Sequence, residues 1–240
     1  MLNDDNTLKI EVSDDVIEEI EINSSKNLTY IVKQDKCLDL TIYLSATVVS
    51  FKIFFVLKKN ARANVVLIDT SKGKLDLSAN VIMNEEKSSF EWCLASISNN
   101  DDDKKIDVSI DQIVGRTTAH MYNYGVVLSN GRLSFAGVGK IYPRANGAKV
   151  SQVAKIINYD ERAFSSAKPI LSIDCDDVVA MHSASVGKVD ENALFYLQSR
   201  GLKESDAKAL LTLAHLSPAI EKIKDEVVKE RVIKEIKELL

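Results

Sequence analysis

Short apolar runs with a period of two constrain this chain more than any other feature. Leu38, Leu40, Ile42 and Leu44 fall on one face of an extended segment, and so do Phe51, Ile53, Phe55 and Leu57. The pattern recurs through Val65 and Leu67, through Leu75, Leu77, Ala79, Val81 and Met83, through Phe90, Trp92 and Leu94, and through Ile106, Val108 and Ile110. Such alternation is the signature of a half-buried strand, because successive side chains of a strand point to opposite faces. Polar breaks such as Lys58-Lys59-Asn60 and the stretch 99–105 separate the runs, so strands start about every 10–15 residues. That spacing suits sandwiches, barrels and solenoids. The 240 residues include only nine glycines and three prolines, few for hairpins closed by tight primed turns. A solenoid needs fewer such turns, since its strands pair with the coils above and below. Periodicity alone leaves a sandwich open.

The stretch from Pro169 to Gly201 carries the chemistry. Pro169 can open a strand, where its missing N–H breaks no ladder bond. Ile170, Ile173, Val178 and Val179 are strand formers, and Asp174, Asp176 and Asp177 between them predict a turn. A second short strand is expected from Val178 to Ala184, with Gly187 ending the strand region. Asp190 is placed to cap a helix N-terminus, and Gly201 to take the left-handed position after its C-terminus. Leu194 and Leu197 share one face of that helix, with Phe195 and Tyr196 beside them. The boundary between a β domain, 1–188, and a helical domain, 189–240, falls here. From Glu204 the period becomes helical: Ala207, Leu210, Leu211, Ala214 and Leu216 make one stripe, Pro218 is expected to start a new helix, and Ile220, Ile223 and Val227, then Val228, Val232 and Ile236, continue. Lys–Glu pairs at i,i+4 add only about 0.3–0.5 kcal/mol each, so burial of the stripes has to hold these helices. They are expected to cap the open end of the strand stack, or to leave a stripe free for a partner.

Composition narrows the function classes. A net charge of -4 gives no reason to expect nucleic acid. Cys37, Cys93 and Cys175 are too widely spaced for a zinc site and odd in number for a disulfide framework, which fits a reduced, cytoplasmic protein. The acidic N-terminus lacks an apolar core, so no signal peptide is expected, and no window approaches the ~20 apolar residues of a membrane span. No Gly-x-x-x-x-Gly-Lys loop and no Gly-x-Ser-x-Gly elbow occurs.

Asp176-Asp177-Val178, the run His182-Ser-Ala-Ser-Val-Gly187, Phe195-Tyr196-Leu197 and Ser199-Arg200-Gly201, in that order and spacing, resemble the SufB/SufD family of the SUF iron–sulfur cluster assembly system, SufD more than SufB. The segment LSNGRLSFAGVGKIYPRANGAKVSQVAKIINYDERAFSSAKP is similar to that family's strand–glycine–strand region, and the resemblance runs from about Gly115 onward. It implies a right-handed parallel β-helix followed by a short helical domain. The chain departs from the pattern where SufD proteins carry Cys-Ser-His-Gly: here the residues are Ala180-Met181-His182-Ser183, so the histidine stays and the thiol is gone. Ser172 stands where a glutamate is usual. Cys175 does not match the functional cysteine of SufB-type proteins.

What the resemblance implies is a non-catalytic scaffold subunit. Its partners would be a SufB-like subunit or a second copy through the last β-helix coils, and a SufC-like ATPase through the C-terminal helices. An iron–sulfur cluster, or iron, would rest transiently at the subunit junction and not be tightly bound. His182 is the candidate metal and cofactor-binding residue, since a neutral imidazole can ligate iron once its second nitrogen is oriented; Asp176 and Asp177 are near enough in sequence to be considered for that. The plain alternative is a hydrogen-bonded histidine near a strand edge. His120 and His215 carry no surrounding motif and are read as structural or exposed; the cysteines are expected to be small buried hydrophobes, except Cys175, whose turn could expose its sulfur. Two rival readings are a polysaccharide-active β-helix enzyme using Asp107, Asp111 and Arg116, and a structural β-solenoid that dimerises with itself. Few aromatics and a single Trp speak against sugar stacking.

Overall fold

The computed structural model of the chain describes residues 7–45 and 47–240. Fourteen strands wind in order: β1 Thr7–Val12, β2 Val16–Ile22, β3 Lys26–Val32, β4 Cys37–Leu44, β5 Ser50–Leu57, β6 Arg62–Asp69, β7 Lys74–Met83, β8 Ser89–Ser98, β9 Asp103–Gln112, β10 Thr118–Val127, β11 Arg132–Ile141, β12 Ala148–Asn158, β13 Phe164–Ile173 and β14 Val178–Lys188. Three helices follow: α1 Glu191–Ser199, α2 Glu204–Ile220 and α3 Glu226–Glu238. Odd strands form one seven-stranded parallel sheet in the order β1-β3-β5-β7-β9-β11-β13, and even strands the other. Each rung therefore contributes one strand to each sheet, which is a parallel β-solenoid. Rungs lengthen along the axis: Thr7 pairs with Asn27, 20 residues on, whereas Arg132 pairs with Phe164, 32 residues on.

The alternation read from the sequence faces the space between the sheets. Leu38, Leu40, Ile42, Phe51, Ile53, Leu77, Phe90, Trp92, Ile106 and Val108 are all buried there, each worth about 1.5–3 kcal/mol relative to exposure. Tyr30 stacks on Phe55 at 5.7 Å, and Phe55 meets Phe90 at a tilt at 5.2 Å, so aromatic rings cross the core from one sheet to the other. The corners repeat as well. Asp35, Asn60, Lys87, Arg116 and Gly147 all have positive φ, and each lies two residues before the strand-opening ladder Cys37–Arg62–Ser89–Thr118–Lys149. The strain of a left-handed lysine or arginine is offset because the next rung takes up the corner: Asn60 N–H donates to Glu86 O (3.1 Å) and Arg116 N–H to Asn146 O (2.9 Å).

One ion pair lies fully inside. Lys104 and Asp69 are both 0% exposed, and Lys104 Nζ donates to Asp69 Oδ2 (2.9 Å), Ser71 O (2.6 Å) and Ile97 O (2.6 Å). Asp69 also accepts from Ser71 N–H (3.0 Å) and the Ser96 hydroxyl. All three ammonium protons are placed, which is the condition for tolerating a buried charge. The pair ties β9 in one sheet to β6 and β8 in the other.

The helices correct two expectations. They do not cap the open end of the strand stack: α2 packs on β6, β8 and β10, and Leu216, Ala219, Ile220, Ile223, Val232 and Ile236 meet the outer face of the even sheet at Tyr43, Val66, Ile68 and Cys93. The buried residues of α2 are Ala207, Ala209, Thr212, Leu216, Ala219 and Ile220, while Leu210 is 49% exposed and Val227 77%. Pro218 lies inside α2 rather than at a new start. Ser217 Oγ donates to Ala214 O (2.9 Å), filling the bond that the proline nitrogen cannot make. The next helix begins at Glu226, capped by the Asp225 side chain. Asp190 caps α1, and Gly201 takes φ +95° just after it, both as read from the sequence.

Candidate functional site

The last rung, β13 and β14, is where chemistry-bearing residues and unsatisfied structure meet. Both strands are outermost in their sheets. Phe164, Ile170, Val179, Met181 and Val186 are exposed by 44% or more. The edges differ in what they offer. Val189 N–H donates to Asn158 O (2.9 Å); since backbone groups alternate direction along a strand, the odd residues of β14 bond to β12. The N–H and C=O of Ala180, His182, Ala184 and Val186 then face the open edge in an unbroken row. In β13, Phe164 and Asp174 donate to Gly131 O (3.0 Å) and Ile141 O (2.9 Å), so Ser165, Ala167, Pro169 and Leu171 face the edge, and Pro169 has no N–H to give. The edge of β14 is open to pairing along its length; that of β13 is interrupted at its middle.

His182 sits at the centre of β14, paired in register with Gln152 of β12. Gln152 is buried between the sheets at 3% exposure, and parallel partners share a face, so His182 stands on the inward face of the last rung. It is exposed because no rung follows, and among the described residues its ring makes no side-chain hydrogen bond. Asp176 and Asp177 do not orient it. They lie in the corner before β14, and five residues of extended chain carry His182 about 16 Å past Asp177. Ala180, where the related pattern carries a thiol, shares the inward face two residues earlier and packs on the core. Ser172 is exposed on β13.

The other singled-out residues go elsewhere. His120 Nδ1 lies 2.6 Å from Ser151 Oγ on the outer face of the even sheet. His215 Nε2 meets Lys155 O at 3.2 Å and the ring sets its edge on Tyr124; burial holds its pKa below the ordinary value, against backbone contacts that raise it. Cys93 is buried against α2, and burial pushes its thiol up to about 12. Cys37 is only partly buried, and burial, with Asp39 next, raises its pKa. Cys175 is also partly buried, with Sγ 2.9 Å from Asn146 Oδ1. Among the described residues no group of three or more His, Cys, Asp or Glu side chains could hold a metal ion. Asp107 and Asp111 share the outer face of β9 four residues apart, about 13 Å, beyond the roughly 5–9.5 Å of a glycosidase carboxylate pair. Trp92 is buried, donating from Nε1 to Asn123 Oδ1 (3.1 Å), and is no sugar platform. Sequence reasoning missed Lys104 and Gln152, although both occupy inward positions of clearly alternating strands.

The described residues thus form a parallel β-solenoid that ends in an open rung with one inward histidine and carries three helices on one flank. The chain belongs to the family described as SUF system FeS cluster assembly, SufBD core domain, whose profile matches residues 18–215. It is 37% identical to the iron–sulfur cluster assembly protein SufD of Bacillus subtilis over 114 residues, 48% of this chain and 26% of that protein. Identity to SufD of Escherichia coli is 31% over 111 residues, 46% of this chain and 26% of that one. A SufBD family protein of Mycobacterium bovis matches at 28% over 150 residues, 62% of this chain and 18% of its own length. The matched segment thus spans about a quarter or less of these relatives. Among the described residues no helix is long and apolar enough to cross a membrane.

Proposed function

We propose that this chain is a non-catalytic scaffold subunit of a SUF-type assembly complex, and that its last rung forms the junction with a SufB-like subunit or a second copy of itself. The observation that carries this is the β14 edge, whose free backbone groups and apolar inward face are built to be continued by another strand. The iron–sulfur cluster, or iron, is cargo held transiently there. His182 contributes one imidazole. Among the described residues no set of three donors is brought together, so the remaining ligands would come from across the junction.

The helices supply a second docking face. Phe195 and Tyr196 of α1 are 72% and 55% exposed, and α1 buries none of its residues. These side chains, and Leu210 of α2 (49% exposed), are exposed apolar groups fit to dock a SufC-like ATPase. Closure of that ATPase on α1 and α2 would be transmitted to the junction through the Lys188–Asp190 link, where Val189 is bonded to Asn158 and Lys188 pairs with Glu161 (2.9 Å).

Mixing the purified chain with the SufB-like and SufC-like proteins of its host tests both faces. A stable complex is expected, weakened by Phe195→Asp only toward the ATPase and by Ala184→Lys only toward the strand partner. Failure of the folded proteins to associate overturns the scaffold reading. Anaerobic reconstitution with iron and sulfide is expected to load less cluster on the His182→Ala complex; equal loading removes His182 from the ligand set.

A further inference from the structure

Directly beneath His182, Gln152 stands as a polar residue in an apolar column. Its register partner in β10 is Met121, and Trp92 follows in β8. Its amide reaches across the core to the facing sheet, where Nε2 donates to Ile170 O (3.1 Å). Oε1 is buried and has no hydrogen-bond partner. The facing strand β11 makes room for this amide with two glycines. A Cβ at Gly137 would stand 3.1 Å from Oε1, and one at Gly139 would stand 2.7 Å from Nε2. A buried acceptor left free, in a slot kept open for it, is expensive unless it is used.

We propose that Gln152 is a positioning residue for His182: its Oε1 accepts the N–H of the imidazole when the ring turns inward, and this leaves the other ring nitrogen, with its lone pair, directed out of the rung. The proposal rests on the reading of His182 as a ligand for what it is used for, but its geometry stands within one chain. In-register partners of adjacent parallel strands lie about 4.8 Å apart, within reach of a histidine above a glutamine. The amide cannot turn over to offer N–H instead, because Ile170 O holds Nε2. The inward hydroxyl of the last rung's other strand is committed: Ser165 Oγ donates to Asn158 Oδ1 (2.9 Å). Fixing one tautomer through the non-ligating nitrogen is how imidazole ligands are generally oriented.

The test is the tautomer of His182 in the isolated full chain, read by long-range proton–nitrogen spectra of nitrogen-labelled histidine well above the ordinary imidazole pKa of about 6.5. Only three histidines are present, so each signal is assigned by one substitution. The parent is expected to show one dominant tautomer at His182. Gln152→Met, which keeps the volume and removes the acceptor, is expected to return it to the mixture of free imidazole. Gln152→Glu, which keeps an acceptor, is expected to preserve the bias. If Gln152→Met disturbs the rung, Gly139→Ala serves in its place, since the new methyl displaces the amide end while leaving Gln152 unchanged, and the same loss of bias is expected. An unbiased parent, or a bias that survives loss of the acceptor, overturns the proposal. A biased His182 in a chain that binds no strand partner would sink the scaffold reading and leave the positioning role standing.

Discussion

The two ends of the solenoid expose the same kind of structure and treat it in opposite ways. The first described rung is short, six residues in β1 and seven in β2, and studded with charge: Lys9 and Glu11 on one strand, Glu18, Glu19 and Glu21 on the other. Glu11 pairs with Lys33 at 2.9 Å. Glu18 occupies an inward position, in register with buried Leu40, and accepts from the Tyr30 hydroxyl (3.1 Å); burial, then the charge of Glu18, raises the Tyr30 pKa. The last rung is longer, ten and eleven residues, and its charges are reduced to Lys168 and Lys188, with His182 in the inward place that Glu18 holds at the other end. An inward-pointing charge and a short charged edge are the ordinary defences against strand addition. Their presence on the first described rung and absence on the last agree with the proposal that the last rung is the edge a partner strand continues.

The largest expected effect tests whether the two ends share one core. Lys104→Met strands Asp69 without its counter-charge in the dry interior, which costs about 3–5 kcal/mol, or a fall in melting temperature of about 10 °C for a chain of this size. Hydrogen exchange followed along the chain is expected to show both end rungs losing protection together. If β1–β2 and β13–β14 respond separately, the ends belong to independently stable units and comparing them as termini of one stack fails.

Next come the ends themselves, with opposite signs. Ala184→Lys puts an ammonium on the inward face of the last rung; the melting temperature should hold within about 2 °C, while association with the strand partner weakens at least about tenfold, equivalent to about 1.4 kcal/mol. Glu18→Leu does the reverse. It removes the inward charge and leaves the Tyr30 hydroxyl without its acceptor, so stability falls by about 1–3 kcal/mol, while light scattering shows new, concentration-dependent self-association. Self-association of equal strength in the unaltered chain through β1–β2 would erase the distinction.

Much of this was legible in the residues, and the failures are instructive. Period-two runs such as Leu75 to Met83 placed strands and their inward faces, because burial between two sheets enforces the alternation over whole rungs. The pattern could not separate a solenoid from a sandwich, since register with the next rung is a long-range property; the resemblance decided it. For the helices, hydrophobicity misled. The helical period puts Leu210 on the apolar stripe, but α2 meets the sheet through Leu216, Ala219 and Ile220 and turns Leu210 outward. Pro218 read as a start because the compensating Ser217 bond exists only in three dimensions. At the site, His182 was found and its neighbours were not. Asp176 and Asp177 looked close in sequence, but an extended strand spends each residue on distance. Gln152, thirty residues upstream, is the neighbour in space, and its parity with Val150, Ala154 and Ile156 was the available signal.

The smallest effect concerns the flank between the two ends, where α2 is fastened. His215 is held neutral by burial against Tyr124 and Lys155, its pKa below the unfolded value. The unfolded chain therefore binds more protons than the folded one as pH falls through the unfolded value of about 6.5, and the contribution of His215, complete above that value, is lost as pH drops through the lower folded one. Docking of α2 on β8 and β10 should loosen over that acidic window, seen as faster amide exchange in α2 with little change in β1–β4. His215→Gln, which cannot take up the proton, is expected to flatten the dependence. A pH profile that persists in the glutamine variant would assign the loosening to other groups on this flank, such as Glu235, whose pKa burial raises beside Glu21 and Glu238; that group contributes with the opposite sign, favouring the fold at low pH, so the direction of the residual slope tells the two apart.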